Sequence, residues 1–501
     1  MTTVSARGLA DLTAAELLDL YRRGDASPVE AVEACLGRIQ RLDPSVGAVL
    51  TLLVERSIAR AEESTRRWRE GEARPLEGIP FGLKDIIATK DIRSTGGSPL
   101  YTGYVPTQSA TLAERLEAAG GVLVAKLNTF EFAAGSNATS SNPWDLDRWP
   151  AGSSSGSTVA VAAHELPIAI GTDTGGSIAI PAAFCGVVGL KPTFGRIPRT
   201  GIMPLSWTLD HAGPLSRSAL DAALVLRVMA GADPRDPTSA STPVDDYAGG
   251  INAGLDGIRI GVPTDWFFAV CDPQVELATR AAIRLLEQHG ARVGEVPFPS
   301  TRRVDLHAIE LTIIYAELAS LHEVTFDRLE QYGEEFQHLL VRAQFTSAVD
   351  YLKALRARHL VQLDFQNAFA QFDALIVPGG VCTAPRHDQL VAKLGSEERP
   401  LIDVISRPTA VMDITGIPAL TIPAGFDRLG LPIGMQIATR PYDEATGLRI
   451  GHAYQQLTDF HRVLPPIVRS DLESGRDQLD RGSLPPVVLN PVVTATRDRV
   501  W

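Results

Sequence analysis

The sequence predicts an α/β fold in which helices cover a mixed β-sheet. Amphipathic helical repeats open the chain. From residue 79 onward, short apolar runs alternate with helical stretches, and Gly or Pro punctuates most of these segments. Residues 12–23 repeat apolar side chains at helical spacing and stop at Gly24. Ser27-Pro28 reads as an N-cap with proline at the first helical position, opening a helix to about Leu42. A third helix is expected over 52–70, ending at Gly71. Segments 79–88, 122–127 and 168–172 read as strands, and 111–119, 153–163 and 218–229 as helices. From about Val304 to Ala370 the chain is helical and rich in charge, with Tyr315, Phe326, Phe336 and Tyr351 as candidate lid aromatics. Strand patterns resume at 373–378, 419–423 and 432–438. This layout predicts one domain over 1–464 with a helical insertion at about 300–370, then an extended tail over 465–501.

Composition narrows the function class. The 501 residues are 45% hydrophobic and 21% charged, as in a globular enzyme. A formal net charge of −12 argues against nucleic acid or an anionic membrane as partner. Cys35, Cys185, Cys271 and Cys382 are far apart and form no Cys-x-x-Cys pair, so neither structural zinc nor a disulfide framework is expected. The first residues lack the apolar run of a signal peptide, and no uninterrupted stretch is long enough to span a bilayer. A cytoplasmic location follows as the expectation. No His-Glu-x-x-His occurs; His322-Glu323 is the nearest imitation, with Phe326 where the second histidine should stand. Neither metal nor cofactor is expected.

The densest chemistry lies between Trp149 and Pro181. Gly152-Ser153-Ser154-Ser155-Gly156-Ser157 precedes an Ala/Val-rich helix, and Gly171-Thr172-Asp173-Thr174-Gly175-Gly176-Ser177 follows a short strand. Each segment alone reads equally well as a polar loop or helix cap. Gly152 to Gly156 also spells Gly-x-Ser-x-Gly, with Ser154 as nucleophile, but that elbow needs a strand before the serine, and Arg148-Trp149-Pro150 disfavours one. Asp173-Thr174-Gly175 imitates an aspartic-protease loop, yet no second Asp-Thr/Ser-Gly is present to share a proton.

Taken together, Pro150-Ala151-Gly152-Ser153-Ser154-Ser155-Gly156-Ser157, Gly171 to Ile178 and Pro181-Ala182-Ala183-Phe184-Cys185-Gly186 resemble the amidase signature family. So do Gly78-Ile79-Pro80-Phe81-Gly82-Leu83-Lys84-Asp85, Gly189-Leu190-Lys191-Pro192-Thr193, Leu209-Asp210-His211-Ala212-Gly213-Pro214 and Gly430-Leu431-Pro432-Ile433-Gly434. The ordered matches cover roughly residues 10 to 460. The resemblance implies the amidase signature fold, a large mixed, twisted sheet between layers of helices. It also implies a Ser–cis-Ser–Lys triad carried onto Ser177 as nucleophile, Ser153 as proton relay behind a cis Gly152–Ser153 peptide, and Lys84 as base.

Physical chemistry supports those roles. An amide is a poor electrophile, so an unactivated hydroxyl does not attack it usefully. A lysine serves as base only when neutral, and burial beside the apolar run Ile79 to Leu83 lowers its pKa. Lys191 is the rival lysine and reads as structural. Asp85 alternates with Lys84 and should face the other side of the sheet. The backbone of Thr174, Gly175 and Gly176 is expected to supply the oxyanion hole.

The chain departs from many family members at the two positions where an arginine follows the nucleophile, which here are Ala179 and Ile180. That leaves Asp173 without its usual partner. Ala133, Ala179 and Ile180 are candidate substrate-pocket residues. The expected activity is hydrolysis of a linear amide C–N bond, with water and a small uncharged apolar or aryl amide as substrates. A carbamate or ester hydrolase with the same triad, and a non-catalytic protein of the amidotransferase-subunit type, are the alternatives. A homodimer is left open.

Overall fold

The protein is described by a computed structural model covering residues 8–135, 140–263, 266–394 and 396–474, with 479, 485 and 487–491. Its strands are β1 (Val49–Leu53), β2 (Pro80–Lys84), β3 (Val122–Leu127), β4 (Ile168–Asp173), β5 (Val188–Lys191), β6 (His211–Ser216) and β7 (Arg259–Val262). They continue as β8 (Arg292–Glu295), β9 (Ala374–Pro378), β10 (Val391–Leu394), β11 (Glu397–Pro400), β12 (Ala419–Phe426), β13 (Pro432–Thr439) and β14 (Val487–Leu489). Twelve of them form one sheet in the order β14-β1-β3-β2-β4-β6-β5-β12-β13-β9-β7-β8, and β10 and β11 make a separate hairpin. β2 runs parallel to β3 and β4, while β4–β6, β5–β6, β12–β5 and β12–β13 are antiparallel. The mixed sheet expected from the sequence is therefore present, and its central strands are buried throughout, as covering helices on both faces require.

Local signals set the helix ends. Thr13 and Ser27 cap their helices reciprocally with Glu16 and Glu30, Pro28 takes the first position, and Gly24 and Gly71 close helices in the left-handed region at φ 74° and 75°. The insertion consists of helices Leu306–His322, Glu334–Ala343 and Ala348–Gln371 between β8 and β9. Its aromatic residues mostly pack inward. Phe336 is buried against Phe132 and stacks on Tyr332, and the Tyr351 hydroxyl donates to Glu317.

Two expectations need correction. Residues 49–53 form β1, so the third helix begins at Val54 rather than Leu52. The segment after 464 is not wholly extended: Pro466–Glu473 is helical, and Asp471 ties it to Arg38 and Arg41 of helix Pro28–Val46. Val487–Leu489 pairs antiparallel with β1 as an edge strand; the rest of the tail lies largely outside the described residues.

Parallel pairing of β2, β3 and β4 places their C-terminal ends side by side. Lys84 ends β2 and Asp173 ends β4. Helix Ser155–Ala162 crosses from β3 to β4, so the segment leading into it, which carries Ser153, reaches the same edge. Such an edge is where an open α/β sheet builds its sites.

Candidate active site

Lys84 is fully buried and surrounded by hydroxyls. Its Nζ lies 2.7 Å from Ser153 Oγ, 3.0 Å from Ser154 Oγ and 2.8 Å from Thr172 Oγ1. Burial pushes its pKa down to about 7, opposed by the charges of Asp173 and Asp210. Three neighbours suit both protonation states. An ammonium donates to all three, whereas a neutral amine donates two N–H bonds and accepts one O–H on its lone pair. The Gly152–Ser153 peptide is cis, and the Ser153 carbonyl accepts from the Phe130 N–H.

Ser154 is committed elsewhere. Its hydroxyl donates to the Thr172 carbonyl at 3.0 Å and accepts from the Thr172 N–H at 3.2 Å, so its third contact, Lys84, completes its bonding capacity. It is also fully buried, whereas Gly175 and Ser177 are the two positions between 171 and 178 that keep partial exposure. The elbow reading of Gly152 to Gly156 fails on both counts, and no strand precedes Ser154.

Asp173 resolves the question raised by the absent arginine. Its Oδ1 accepts from the N–H groups of Gly176 (2.5 Å) and Ser177 (2.6 Å), and its Oδ2 from Ile178 (2.8 Å) and Ala179 (3.1 Å). A buried carboxylate is satisfied here by four backbone donors, which wrap the nucleophile loop around it. One consequence is that the Gly176 N–H, expected in the oxyanion hole, points to Asp173 instead. Gly176 has φ 110°, and a Cβ there would overlap Thr409 Oγ1, so this turn requires glycine.

The three expected pocket residues are about equally buried, with Ala133 and Ile180 6% exposed and Ala179 5%; the last two begin the short helix Ala179–Cys185. Ile180 packs in an apolar cluster with Ala151, Phe184, Val381 and Val404. The Asp173 clamp holds backbone N–H groups of this first turn, and the Ile180 side chain lies against Gly176 of the nucleophile loop. Ala133 behaves differently: it lines a narrow cleft with Ile86, Thr172, Thr174, Ile202, Met203 and Trp207. Asp210 also borders that cleft, accepts from the Thr174 hydroxyl at 2.7 Å, and has its pKa raised by burial to about 6.

Neither nearby histidine contacts Lys84 or Ser153 among the described residues, although His211 borders the cleft. His164 pairs with Asp11 at 2.9 Å and His211 faces Asp413 at 3.2 Å. Asp85 faces away from Lys84 as expected and pairs with Lys126 at 3.1 Å. Among the described residues, no group of three or more His, Cys, Asp or Glu could hold a metal ion, and no helix is long and apolar enough to cross a membrane. Sequence reading missed Thr172, Glu310 and Thr409. Thr172 could have been found from the pairing of parallel strands ending in Lys84 and Asp173; the other two come from helices far along the chain.

The Amidase family profile matches residues 30–448. The chain belongs to the amidase signature family. It is 39% identical to a Glutamyl-tRNA(Gln) amidotransferase subunit from Roseiflexus sp. (strain RS-1), over 92% of this chain and 99% of that protein. The peptide amidase from Stenotrophomonas maltophilia has the same fold, with a TM-score of 0.77 and 31% identity, covering 91% of this chain and 98% of that one. A chain from a vestigial protein complex connected with the origins of an s-triazine catabolic enzyme superposes with a TM-score of 0.84 at 30% identity, covering 89% and 98%. Members of the amidase signature family thus include both hydrolases and amidotransferase subunits.

Proposed function

We propose that this amidase signature protein hydrolyses an amide-type C–N bond through an acyl-enzyme on Ser177. The observation that carries this reading is the Lys84–Ser153 contact of 2.7 Å inside a hydroxyl cage, with the Lys84 pKa brought to about 7 and no carboxylate paired to it among the described residues. Neutral Lys84 takes the Ser153 proton while Ser153 takes that of Ser177, and Ser177 Oγ attacks the carbonyl carbon. The anionic tetrahedral oxygen is stabilised by the N–H groups of Thr174 and Gly175, since that of Gly176 is held by Asp173. Collapse breaks the C–N bond, and the relay returns the proton to the leaving amine. Water, deprotonated through the same relay, then attacks the acyl-enzyme and releases the acid and Ser177.

The cleft beside Thr172 and Thr174 has an apolar part formed by Ile86, Ala133, Ile202 and Met203, which supports an uncharged apolar or aryl group on one side of the scissile bond, and a charged part at Arg199 and Asp210. Esters and carbamates are open to the same acyl transfer. The test is mass mapping of a fluorophosphonate label together with turnover of matched p-nitroanilides, one neutral and one ending in carboxylate. Labelling at Ser177 with faster turnover of the neutral member supports the reading. Label on Ser154, or a higher kcat/KM for the carboxylate, overturns it.

A second reading is favoured by the similarity to amidotransferase subunits along nearly the whole chain. In it, the same acyl-enzyme forms from glutamine, and the released ammonia passes to a partner protein. Glutamine hydrolysis that depends on added partner proteins, without turnover of any anilide, would select it. Ala179, in place of the arginine, weighs against it.

A further inference from the structure

The nucleophile loop has a neighbour on the helical insertion that the proposed chemistry does not use. Glu310, on helix Leu306–His322, is 5% exposed and packs directly on Gly175, where a Cβ would overlap its Oε1. Its Oε2 is well supplied: the Ser406 hydroxyl donates at 3.1 Å, and His307 Nδ1 lies 3.4 Å away. The described residues place no hydrogen-bond donor on Oε1. Glu310 also borders a cleft of about 810 Å³ between its own helix and helix Arg407–Thr415, together with His307, Val304, Ser406 and Ala410.

This arrangement is unfavourable for an empty hydrolase. A carboxylate oxygen beside the proposed oxyanion donors opposes the negative charge of the tetrahedral intermediate. A ligand that brings an N–H to Oε1 relieves that opposition. We propose that Glu310 is a specificity-determining residue, accepting through Oε1 a hydrogen bond from an amino or carbamoyl N–H on the acyl group of the substrate. This rests on the acyl-transfer reading above and names the substrate class for it. Because Oε1 touches Gly175, which is adjacent to where the carbonyl oxygen would sit, the N–H should lie two or three bonds from the reacting carbon. Burial raises the pKa of Glu310, opposed by His307 on the same helix and by Ser406, and reinforced by the more distant Asp173. His307 is itself held more basic by its contact with Glu310.

The test uses the p-nitroanilides of β-alanine, malonamic acid and butyric acid, which place an ammonium, a carbamoyl group or a hydrocarbon at about the same distance. Turnover is measured on the full chain and binding on its Ser177→Ala variant, so that a failure of the acyl-transfer reading shows in turnover alone. At least one N–H member is expected to exceed the butyryl compound about tenfold, both in kcat/KM and in affinity. In Glu310→Leu that ratio should collapse towards one. In Glu310→Gln, which keeps an acceptor oxygen and the side-chain shape, the carbamoyl preference should persist while the ammonium preference falls. Charged recognition would show as the β-alanyl member leading, and neutral recognition as the malonamoyl member leading. Equal affinities in the parent chain, or a ratio unchanged in folded Glu310→Leu, would overturn the proposal.

Discussion

Lys84 and Lys126 end up on adjacent strands, both completely buried, yet their surroundings differ in kind. Lys126 has Asp85 at 3.1 Å as a counter-charge, and its pKa is lowered by burial against that attraction. Lys84 has three hydroxyls and no carboxylate in contact. Lys191 offers a third solution, with its Nζ donating to the carbonyls of Ile417 (2.6 Å) and Pro192 (3.2 Å). A carboxylate or a pair of carbonyls can only accept, so each favours the ammonium. Hydroxyls can donate as well, so the Lys84 cage tolerates the neutral amine a base requires. Burial alone therefore does not distinguish Lys84, the proposed base, from Lys126, which also touches the Ser94 hydroxyl. The lack of a paired carboxylate among the described residues does.

The largest expected effects separate these lysines by chemistry. Ser177→Ala and Lys84→Ala should each lower kcat by at least about 10³-fold, with fluorophosphonate labelling lost in the first. Lys126→Met should instead act on stability, because it leaves Asp85 buried without its cation. A loss of about 3 kcal/mol or more in urea unfolding is expected. The comparison breaks if folded Lys126→Met loses kcat as severely as Lys84→Ala.

Ser154 tests the cage itself. Ser154→Ala removes one of the three Lys84 partners but leaves Ser153 and Ser177 in place, so label should still map to Ser177 with kcat reduced about tenfold. A loss equal to that of Ser177→Ala would contradict the assignment of Ser154 to a positioning role.

The pH profile sharpens the same point. Lys84 must be neutral to act, so kcat/KM should rise with pH through about 7 and level off above it. A rising limb displaced to the ordinary lysine range, as expected of an exposed amine, would show that the cage does not tune the base.

The smallest effect concerns a buried group away from the lysines. Glu131 accepts from the Ser98 hydroxyl at 2.6 Å and from the Gly333 N–H, and burial raises its pKa to about 7. A carboxyl whose pKa is raised on folding supports stability fully below its unfolded pKa and loses that support as pH rises through the folded value. Glu131→Gln should therefore stabilise the chain at pH 8, by about 1 kcal/mol, with no gain at pH 4. A larger gain in Tm at pH 4 than at pH 8 would refute the sign.

Much of the architecture was legible because it is written locally. Gly24 and Gly71 end helices where only an uncomplicated left-handed turn is required, and Ser27-Pro28 opens one by filling the cap and first position. Residues 49–53 were harder, because an apolar run that continues into a helix carries no period to separate the two. Ala179 and Ile180 show a limit of another kind: proximity in sequence to Ser177 does not reveal that the N–H groups of Ile178 and Ala179 bind Asp173.

The sequence by itself determined the mixed α/β sheet and the two Gly/Ser segments, which rest on patterns of neighbours along the chain, and its resemblance to the amidase signature family pointed to Lys84, Ser153 and Ser177 as the proposed triad. Tertiary structure alone decided that Ser154 and Thr172 complete the cage around Lys84, that four backbone N–H groups hold Asp173, and that Glu310 reaches Gly175 from 135 positions away. Those contacts depend on strand register and helix packing, which fix distances between residues that no local pattern relates.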